Sequence, residues 1–269
     1  MVVPQILGII AGNGVYPTIL AHAARKAGVR KIVSAAFTNE TDPAIAEHVD
    51  LIEWLRVGQL SRLLTFFRDQ KVHQAIMAGQ IAPKNLFDLR PDWKALLVLA
   101  KLKQRNAESI FSAIATELAK VDVTLMPATT FLEDQLAPAG LIVGPKLSRR
   151  EEEDVDLGWK VAKEIAQLDI GQTVIVKNGT VLAVEAFEGT NDAIKRGGAL
   201  AGKGAVMIKV AKPNQDMRFD VPVIGVETVK VAAEAKLRLI AVEADKALLL
   251  DREAIIDLAE AGKISIVAR

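Results

Sequence analysis

The segment KPNQDMRFDVPVIG, residues 212–225, places acidic, basic and amide side chains together in a mostly apolar chain. Its carboxylates are Asp216 and Asp220, and Arg218 lies between them. Mg²⁺ prefers carboxylate ligands, and arginine binds phosphate oxygens in bidentate fashion. In an extended segment these three side chains would share one face, as a metal–phosphate site requires. A solvated, salt-bridged loop is the alternative interpretation.

Further residues of the second half are candidates for binding substrate or phosphate. They are Gln172, Glu188, Gly189, Thr190, Asn191, Lys209, Lys212 and Gln215. Gly189 permits close backbone approach, and Thr190 can cap the helix that follows and turn its amide end toward a phosphate. A cap without any ligand explains Thr190 equally well. Glu185 and Glu243 lie in predicted strands, so each either faces solvent or belongs to a polar site.

A second candidate site follows the first apolar run. The sequence Gly12-Asn13-Gly14 lies between a predicted strand and a predicted helix, where backbone amides point at an anion. The dinucleotide pattern G-x-G-x-x-G fails, because Pro17 occupies its third glycine position. The second strand also ends without an acidic residue, so a nicotinamide enzyme is disfavoured. A tight turn into the helix is the alternative interpretation.

Strands and helices alternate through the first half of the chain. The predicted strands are 5–10, 31–37, 73–79 and 123–127, and the predicted helices are 18–28, 59–70, 92–103 and 108–120. This alternation predicts a parallel sheet covered on both faces, which binds ligands at the carboxyl edge of its strands. Gln59, Gly79 and Gln80 lie at that edge, and the two glutamines suit a base or a sugar.

Three charged residues follow Gln80 before the next helix. We expect Asp88, Arg90 and Asp92 to form salt bridges and a helix cap, a structural role. The histidines, His22, His48 and His73, are scattered without metal-ligand spacing.

The second half has an α+β rhythm. Residues 137–148 carry prolines and glycines with little periodicity, and they are the predicted linker. A capping box then opens a helix to residue 167, and Asn178-Gly179 predicts a hairpin. The remaining predicted strands are 204–211, 237–244, 248–250 and 264–268, with helices beginning near 190, 227 and 252. We therefore predict a Rossmann-like parallel-sheet domain over 1–136 and a distinct α+β domain over 137–269.

Composition excludes several classes of function. The chain has 269 residues, 51% of them hydrophobic, and a net charge of +1, so no global field favours nucleic acid. It has no cysteine, which excludes disulfides, thiolate catalysis and Cys-ligated zinc. The apolar N-terminus reads as a strand rather than a signal peptide, and no apolar run approaches the roughly 20 residues of a membrane span. We expect a cytoplasmic protein that can still contact a membrane surface.

Several stretches in order are distinctive. They are AGNGVYP, VGQL, AGQI, DLRPDW and LAPAG in the first half, and LDIGQTVIVKNGTVLAVEAFEGTNDAI, VMIKVAKPNQDMRFDVPVIG and AVEADKALLLDRE in the second. Over essentially its whole length the chain resembles the UDP-2,3-diacylglucosamine hydrolase family of the LpxI type. This resemblance implies Mg²⁺-dependent cleavage of UDP-2,3-diacylglucosamine to 2,3-diacylglucosamine 1-phosphate and UMP in lipid A biosynthesis, with Mn²⁺ as a substitute.

The resemblance also implies a site between two domains and attack at the phosphorus next to the sugar. We expect a homodimer. Asp220 and Asp216 are then the metal ligands, and together with Arg218 the catalytic set. Lys209 and Lys212 meet phosphates. One departure is Arg105-Asn106-Ala107-Glu108, where the family often has Gly-Asp-Asp, which leaves only Glu108 as a candidate ligand there. A nucleotide-sugar sensor without turnover and a nucleotidyltransferase remain alternatives.

Overall fold

The chain folds into two compact units, and a short segment of the second half joins the first. The computed structural model describes residues 2–81, 91–102, 107–213 and 215–269. The first unit comprises Met1–Glu133 and Asp216–Asp220, and the second comprises Asp134–Gln215 and Val221–Arg269. The predicted fold class is confirmed, because a parallel sheet forms in the first unit and a separate mixed sheet in the second.

The first unit alternates strands and helices, as predicted. Its elements are β1 (Ile6–Ala11), α1 (Tyr16–Lys26), β2 (Lys31–Phe37), β3 (Leu51–Leu55), α2 (Leu60–Asp69), β4 (Gln74–Ala78), α3 (Trp93–Lys101), α4 (Ala107–Ala119) and β5 (Thr124–Leu125), with a 3-10 turn at Pro43–Glu47. The strand order is β3-β2-β1-β4-β5, and every pair is parallel. The order reverses between β1 and β4, so the loops after these strands meet where such sheets bind ligands.

Helix α2 shows how the sequence pattern builds this unit. Its buried residues Leu60, Leu63, Leu64 and Phe67 recur at helical spacing and form one apolar stripe. This stripe belongs to the main core cluster of the unit. A Cβ added at Gly8 of β1 would lie 3.0 Å from the Phe67 ring, so the glycine lets the helix pack closely on the sheet.

Two features of the first unit bear on the sequence predictions. Strand β3 was not predicted, because the edge strand LIEWL is mostly half-exposed and lacks a continuous apolar run. The cap at Asp92 is present, since its side chain accepts a hydrogen bond of 2.9 Å from the Ala95 amide. Asp88 and Arg90 lie outside the described residues.

Helix α3 exposes a cluster of apolar side chains. Trp93, Leu96 and Leu97 share the surface of this helix and are 74%, 47% and 45% exposed. Across the described ranges, no helix is both long and apolar enough to cross a membrane.

The second unit is built around a mixed sheet. Its elements are β6 (Gly140–Val143), α5 (Arg149–Gln167), β7 (Thr173–Lys177), β8 (Thr180–Val184), α6 (Thr190–Ala201), β9 (Val206–Lys209), β10 (Val223–Gly225), α7 (Val226–Glu234), β11 (Leu239–Val242), β12 (Leu248–Leu250), α8 (Arg252–Ala261) and β13 (Ser265–Ala268). The strand order is β6-β13-β11-β9-β7-β8, and β10 pairs separately with β12. Strands β9, β11 and β13 run parallel, whereas β6, β7 and β8 pair antiparallel.

The hairpin turn and the capping box predicted for this unit are present, but the segment predicted as a linker contains a strand. Asn178 and Gly179 both have positive φ, 53° and 73°, as the two-residue hairpin turn requires. Ser148 and Glu151 form the predicted capping box. The segment predicted as a linker contains β6, which pairs with β13 at the far end of the chain. A strand whose partner lies so far away in sequence leaves little local periodicity to detect.

Candidate functional site

The loops that follow β1 and β4 are joined through their backbones. The Gly12 amide donates to the Ala78 carbonyl at 2.8 Å, and the Asn13 amide donates to the Gln80 carbonyl at 2.6 Å. The Gln80 amide returns to the Asn13 carbonyl at 3.4 Å. The structure therefore brings Gly12, Asn13, Gly79 and Gln80, all predicted site residues, to one place at the carboxyl edge of the sheet.

Glycine occupies three positions of these loops for different physical reasons. A Cβ at Gly12 would lie 2.5 Å from the Gln80 carbonyl oxygen, and one at Gly79 would lie 2.5 Å from the Asn13 oxygen. Gly12 and Gly79 are thus required by contact between the loops. Gly14 has φ of 86°, and its Cβ position meets no atom within 4 Å. Helix α1 begins here without a side-chain cap, so its amide end at the open Gly14 can receive an anion.

We expect Gly12→Ala to destabilise the protein rather than only to weaken ligand binding. The added methyl must displace backbone, which costs about 1–3 kcal/mol in a packed site. Asn13→Ala is the matched ligand probe, because the exposed Asn13 uses its main chain to pair with Gln80. The melting temperature should fall for Gly12→Ala and stay unchanged for Asn13→Ala. Calorimetry with a UDP-sugar should detect the weaker binding expected for Asn13→Ala. An unchanged UDP-sugar affinity in Asn13→Ala would remove the Asn13 side chain from the binding site.

The charged turn, defined as Asp216–Asp220, is attached to the same edge of the first unit. The Ala128 amide, which follows β5, donates to the Met217 carbonyl at 2.7 Å. The Ala128 carbonyl in turn accepts a hydrogen bond of 2.5 Å from the Tyr16 hydroxyl. Tyr16 is the first residue of α1, two residues after Gly14. Ala128 therefore connects the charged turn to the start of α1, a link that sequence reasoning missed.

An aromatic anchor also holds the charged turn. The Phe219 ring packs on Phe111 of α4 with ring centroids 5.5 Å apart, and it joins the core cluster of the first unit. The Arg218 guanidinium lies 5.7 Å from the centroid of the Phe219 ring. The partly buried Phe219 ring thus holds the backbone between the two aspartates against the core of the first unit.

The backbone of this segment differs from the prediction. The Phe219 and Asp220 amides both donate to the Asp216 carbonyl, at 3.2 and 3.0 Å, so the chain turns. The expectation that residues 216, 218 and 220 share one face of an extended segment is therefore wrong. The Asp216 carboxylate accepts from the Arg218 amide at 3.1 Å, and such local bonds compete with strand formation.

Asp216 and Arg218 form a bidentate pair. Arg218 Nε lies 2.9 Å from Asp216 Oδ1, and Nη2 lies 2.6 Å from Oδ2. This hydrogen bonding lowers the pKa of the Asp216 carboxyl and raises the pKa of the Arg218 guanidinium. Because both oxygens of Asp216 are engaged, its first role here is to orient Arg218. A metal role for Asp216 stays a prediction.

The donor set can be tested against Mg²⁺. Within the described ranges, no group of three or more histidine, aspartate and glutamate side chains converges as a metal cage. Mg²⁺ instead commonly uses one or two carboxylates together with water and substrate phosphate oxygens. The half-buried Asp220 fits this mode, whereas Glu108 is exposed in the first turn of α4. Arg105 and Asn106 of the departing motif lie outside the described residues.

A second polar group, which we call the lysine relay, lies in the second unit. Lys209 Nζ at the end of β9 donates to Thr190 Oγ1 at 2.7 Å, and Thr190 Oγ1 donates to Glu185 Oε1 at 2.7 Å. Gln172 joins this group through its backbone N–H, which donates to Glu185 Oε2 at 3.4 Å. Gly189 is the N-cap of α6, so Thr190 is the first helical residue and not the cap. Glu185, for which the sequence left both environments open, belongs to this polar site.

The remaining predicted site residues have partners of their own. Glu188 pairs with Arg196, whose hydrogen bond lowers the pKa of the carboxyl. Lys212 pairs with Asp169, and its amide donates to Gln215 Oε1 at 2.5 Å. These residues do not join the lysine relay through any hydrogen bond within the described ranges.

Two predicted polar residues take local positions. Gln59 Oε1 accepts from the Arg56 amide at 2.8 Å, so part of its polar capacity closes a turn before α2. Asn191 is half-buried in the first turn of α6.

Glu243 is a buried carboxylate with a structural network. It accepts from Lys163, from Lys246 at 2.7 Å and from the Ala211 amide at 2.8 Å. Burial acts to raise the pKa of Glu243, but these hydrogen bonds outweigh it, and the pKa falls below its ordinary value. Glu243, like Glu185, is thus a partner in a polar site.

A pH-dependent stability follows for Glu243. Because its folded pKa is lowered, its contribution is complete above the ordinary value of 4.5 and is lost as pH falls through the folded pKa. We expect Glu243→Gln to reduce the free energy of unfolding by about 1–3 kcal/mol at pH 7. Urea denaturation across pH should show this difference shrinking below about pH 4.5. A difference that is constant with pH would contradict the charged network.

Comparison with known proteins gives a consistent result for both units. The profile of the LpxI N-terminal domain matches residues 6–135, and the profile of the LpxI C-terminal domain matches residues 138–267. A Caulobacter vibrioides protein named UDP-2,3-diacylglucosamine pyrophosphatase LpxI is 31% identical over 265 residues, which cover 94% of each chain.

Proposed function

The chain belongs to the LpxI family and is an enzyme of the hydrolase class, and we propose that it cleaves the pyrophosphate bond of UDP-2,3-diacylglucosamine. The products are 2,3-diacylglucosamine 1-phosphate and UMP, and the reaction is a step of lipid A biosynthesis. The name of the Caulobacter relative supports the substrate. The resemblance of the ordered sequence motifs supports the products.

One structural observation carries this proposal. The charged turn, far along the chain from the glycine loop, is attached to the first unit through Ala128, which also binds Tyr16 at the start of α1. The carboxyl edge of a parallel sheet is where such folds bind ligands. That edge therefore carries an anion-binding helix start and a carboxylate–guanidinium pair, both of which pyrophosphate cleavage needs.

The residues of this edge divide the chemistry between them. Arg218, oriented by Asp216, donates to non-bridging phosphate oxygens as negative charge develops. The amide end of α1 at Gly14 binds a second phosphate group. Asp220 accepts a hydrogen bond from the attacking water and orients it. Asp220 is also the residue that would hold Mg²⁺, which supplies charge neutralisation on the phosphate oxygens when bound.

Turnover of the defined substrate tests the proposal. Purified protein with UDP-2,3-diacylglucosamine and Mg²⁺ should release UMP and the lipid 1-phosphate in equal amounts, identified by mass spectrometry. Substrate binding without turnover would instead support a nucleotide-sugar sensor. A UMP adduct on an added alcohol or phosphate would support a nucleotidyltransferase.

A further inference from the structure

Helix α3 presents one apolar face to the core and a second apolar face to solvent. Ala95 is buried in the core cluster of the first unit, and Val98 packs against that cluster. On the opposite side, the helix carries an apolar stripe at i, i+3, i+4 and i+7, which we call the outward stripe. Its members are all exposed: Trp93, Leu96, Leu97 and Ala100. A surface helix usually places polar residues on its outer face, so core packing does not account for this stripe.

The part of the chain that contains α3 has an excess of positive charge. Residues 90–120 hold six lysine or arginine residues and three aspartate or glutamate residues, whereas the whole chain has a net charge of +1. One of these acidic residues, Asp92, is engaged as the cap of α3, where its carboxylate accepts from the Ala95 and Ser61 amides. Lys101 is exposed in the last turn of α3. A basic segment thus carries the outward stripe.

The acidic residue of α4 that faces α3 is shared by two lysines. Glu117 Oε2 lies 3.3 Å from Lys94 Nζ of α3, and Glu117 Oε1 lies 2.5 Å from Lys120 Nζ. One negative charge is therefore outnumbered by the two ammonium groups beside it. This ion-pair group leaves the neighbourhood of α3 basic.

The composition, length and charge of this surface fit a lipid bilayer with anionic headgroups. Tryptophan and leucine on one helix face, together with lysine and arginine, are typical of helices that lie in the membrane interface. The 9 residues of α3 extend over roughly 14 Å, which is too short to cross a bilayer but long enough to lie on its surface. A second copy of the chain fits less well, because two basic surfaces would repel each other across a symmetric contact.

We propose that the outward stripe of α3, together with Lys101, binds the surface of an anionic lipid bilayer. The apolar side chains enter the boundary between headgroups and acyl chains, and the lysine stem extends so that its ammonium group meets the lipid phosphates. Binding of this kind strengthens with the fraction of anionic lipid and weakens with salt, since each basic residue near the surface raises the affinity roughly fivefold. The contact goes beyond the proposed function, because it needs neither substrate nor turnover.

The start of α3 is attached to the carboxyl edge of the first-unit sheet. The Asp92 amide donates to the carbonyl of Gly58, in the loop that follows β3, at 3.1 Å. The Asp92 carboxylate accepts from the amide of Ser61, in the first turn of α2, at 2.7 Å. Membrane binding by α3 therefore holds this edge near the lipid surface, from which a diacylated substrate is drawn. This consequence, unlike the contact itself, rests on the proposed function.

Vesicle binding by the full-length protein tests the contact. We expect sedimentation with mixed vesicles of phosphatidylcholine and phosphatidylglycerol, with an affinity roughly tenfold or more above that for phosphatidylcholine alone and lower at high salt. Leu96→Gln combined with Leu97→Gln should weaken binding roughly tenfold or more, because two apolar side chains leave the interface. Lys101→Gln should weaken binding roughly fivefold, and only to the anionic vesicles.

Trp93 offers a second readout that does not depend on affinity. Its fluorescence emission should shift to shorter wavelength when anionic vesicles are added, since the indole leaves water for the headgroup region. Trp93→Phe should abolish this shift while the protein still sediments with vesicles, because phenylalanine keeps an apolar ring. The other tryptophans, Trp54 and Trp159, are present in both proteins, so the difference reports on position 93.

Leu200→Gln and Lys160→Gln are the matched controls. Leu200 is an exposed leucine of α6, and Lys160 is an exposed lysine of α5, both in the second unit. Neither change should alter vesicle affinity. The melting temperatures of all these variants should match that of the parent protein, because each substituted residue is exposed.

Four outcomes overturn the proposal. Equal or absent binding to the neutral and anionic vesicles does so, as does unchanged vesicle affinity in the folded double glutamine variant. Self-association that this variant loses, without vesicle binding by the parent protein, would assign the outward stripe to a second copy. Slower cleavage of the diacylated substrate by this variant, with unchanged vesicle affinity, would assign the stripe to the acyl chains. Failure of the proposed function looks different, because vesicle binding would then depend on α3 while UDP-2,3-diacylglucosamine is not cleaved.

Discussion

Asp220→Ala is expected to lower the rate of UMP release by roughly a hundredfold or more, the scale of losing a positioned acid–base or charge-stabilising group. The fold should survive, because the charged turn is held by Phe219 against Phe111 and by the Met217 carbonyl on Ala128. Substrate affinity should change little, since the amide end of α1 and Arg218 remain. Single-turnover kinetics at saturating substrate and Mg²⁺ measure the chemical step directly.

Asp69→Ala is the matched control for Asp220→Ala. Asp69 is an exposed carboxylate at the end of α2, and among the described residues it forms a surface pair with Arg68 at 3.3 Å. It should retain the parental rate, as surface pairs contribute little. A folded Asp220→Ala protein with near-parental turnover would move the chemistry to Asp216 or Glu188.

Removing divalent cations is expected to abolish UMP release, and adding Mg²⁺ or Mn²⁺ in excess of the chelator should restore it. The physical reason is that the described residues offer Asp220 but no cage of three acidic or histidine ligands. A cation held this way depends on substrate oxygens and is therefore readily withdrawn by EDTA. The loss should exceed a factor of roughly a hundred, because charge neutralisation is a principal term in phosphoryl transfer.

The control for chelation measures the stability of the fold rather than turnover. Thermal melting in EDTA should match that in Mg²⁺ without substrate, so that lost activity cannot be attributed to unfolding. Full activity in excess EDTA would rule out the metal-assisted mechanism and leave Arg218 and the α1 amides to stabilise the charge alone.

Most of the contacts that position the residues of the two candidate sites are visible only in the tertiary structure. The charged turn was recognised from its residue types, but its attachment to the first unit depends on Ala128, Tyr16 and Phe111. None of these contacts leaves a local pattern, because each joins residues far apart in the sequence. The extended conformation expected for Asp216–Asp220 failed for a local reason, since the Asp216 carboxylate accepts from the Arg218 amide and the Asp216 carbonyl accepts from the Phe219 and Asp220 amides.

In the lysine relay too, the sequence indicated the residues and the structure showed how they pair. Lys209 and Thr190 were selected from the sequence as candidate phosphate ligands, and the structure joins them at 2.7 Å. The sequence could not pair Thr173 with Lys209, because that depends on the register between β7 and β9. A shift by one residue would send the side chains to opposite faces.

The sequence by itself determined the parallel sheet of the first unit, the Asn178-Gly179 hairpin, the Ser148 capping box and the family. These features follow from periodicity, turn chemistry and ordered motifs, all of which are local in the chain. Only the tertiary structure decided that Asp216–Asp220 joins the first unit and that β6 pairs with β13. Both depend on contacts between distant segments, whose free energy is gained only when the whole core assembles and therefore leaves no signature in either segment alone.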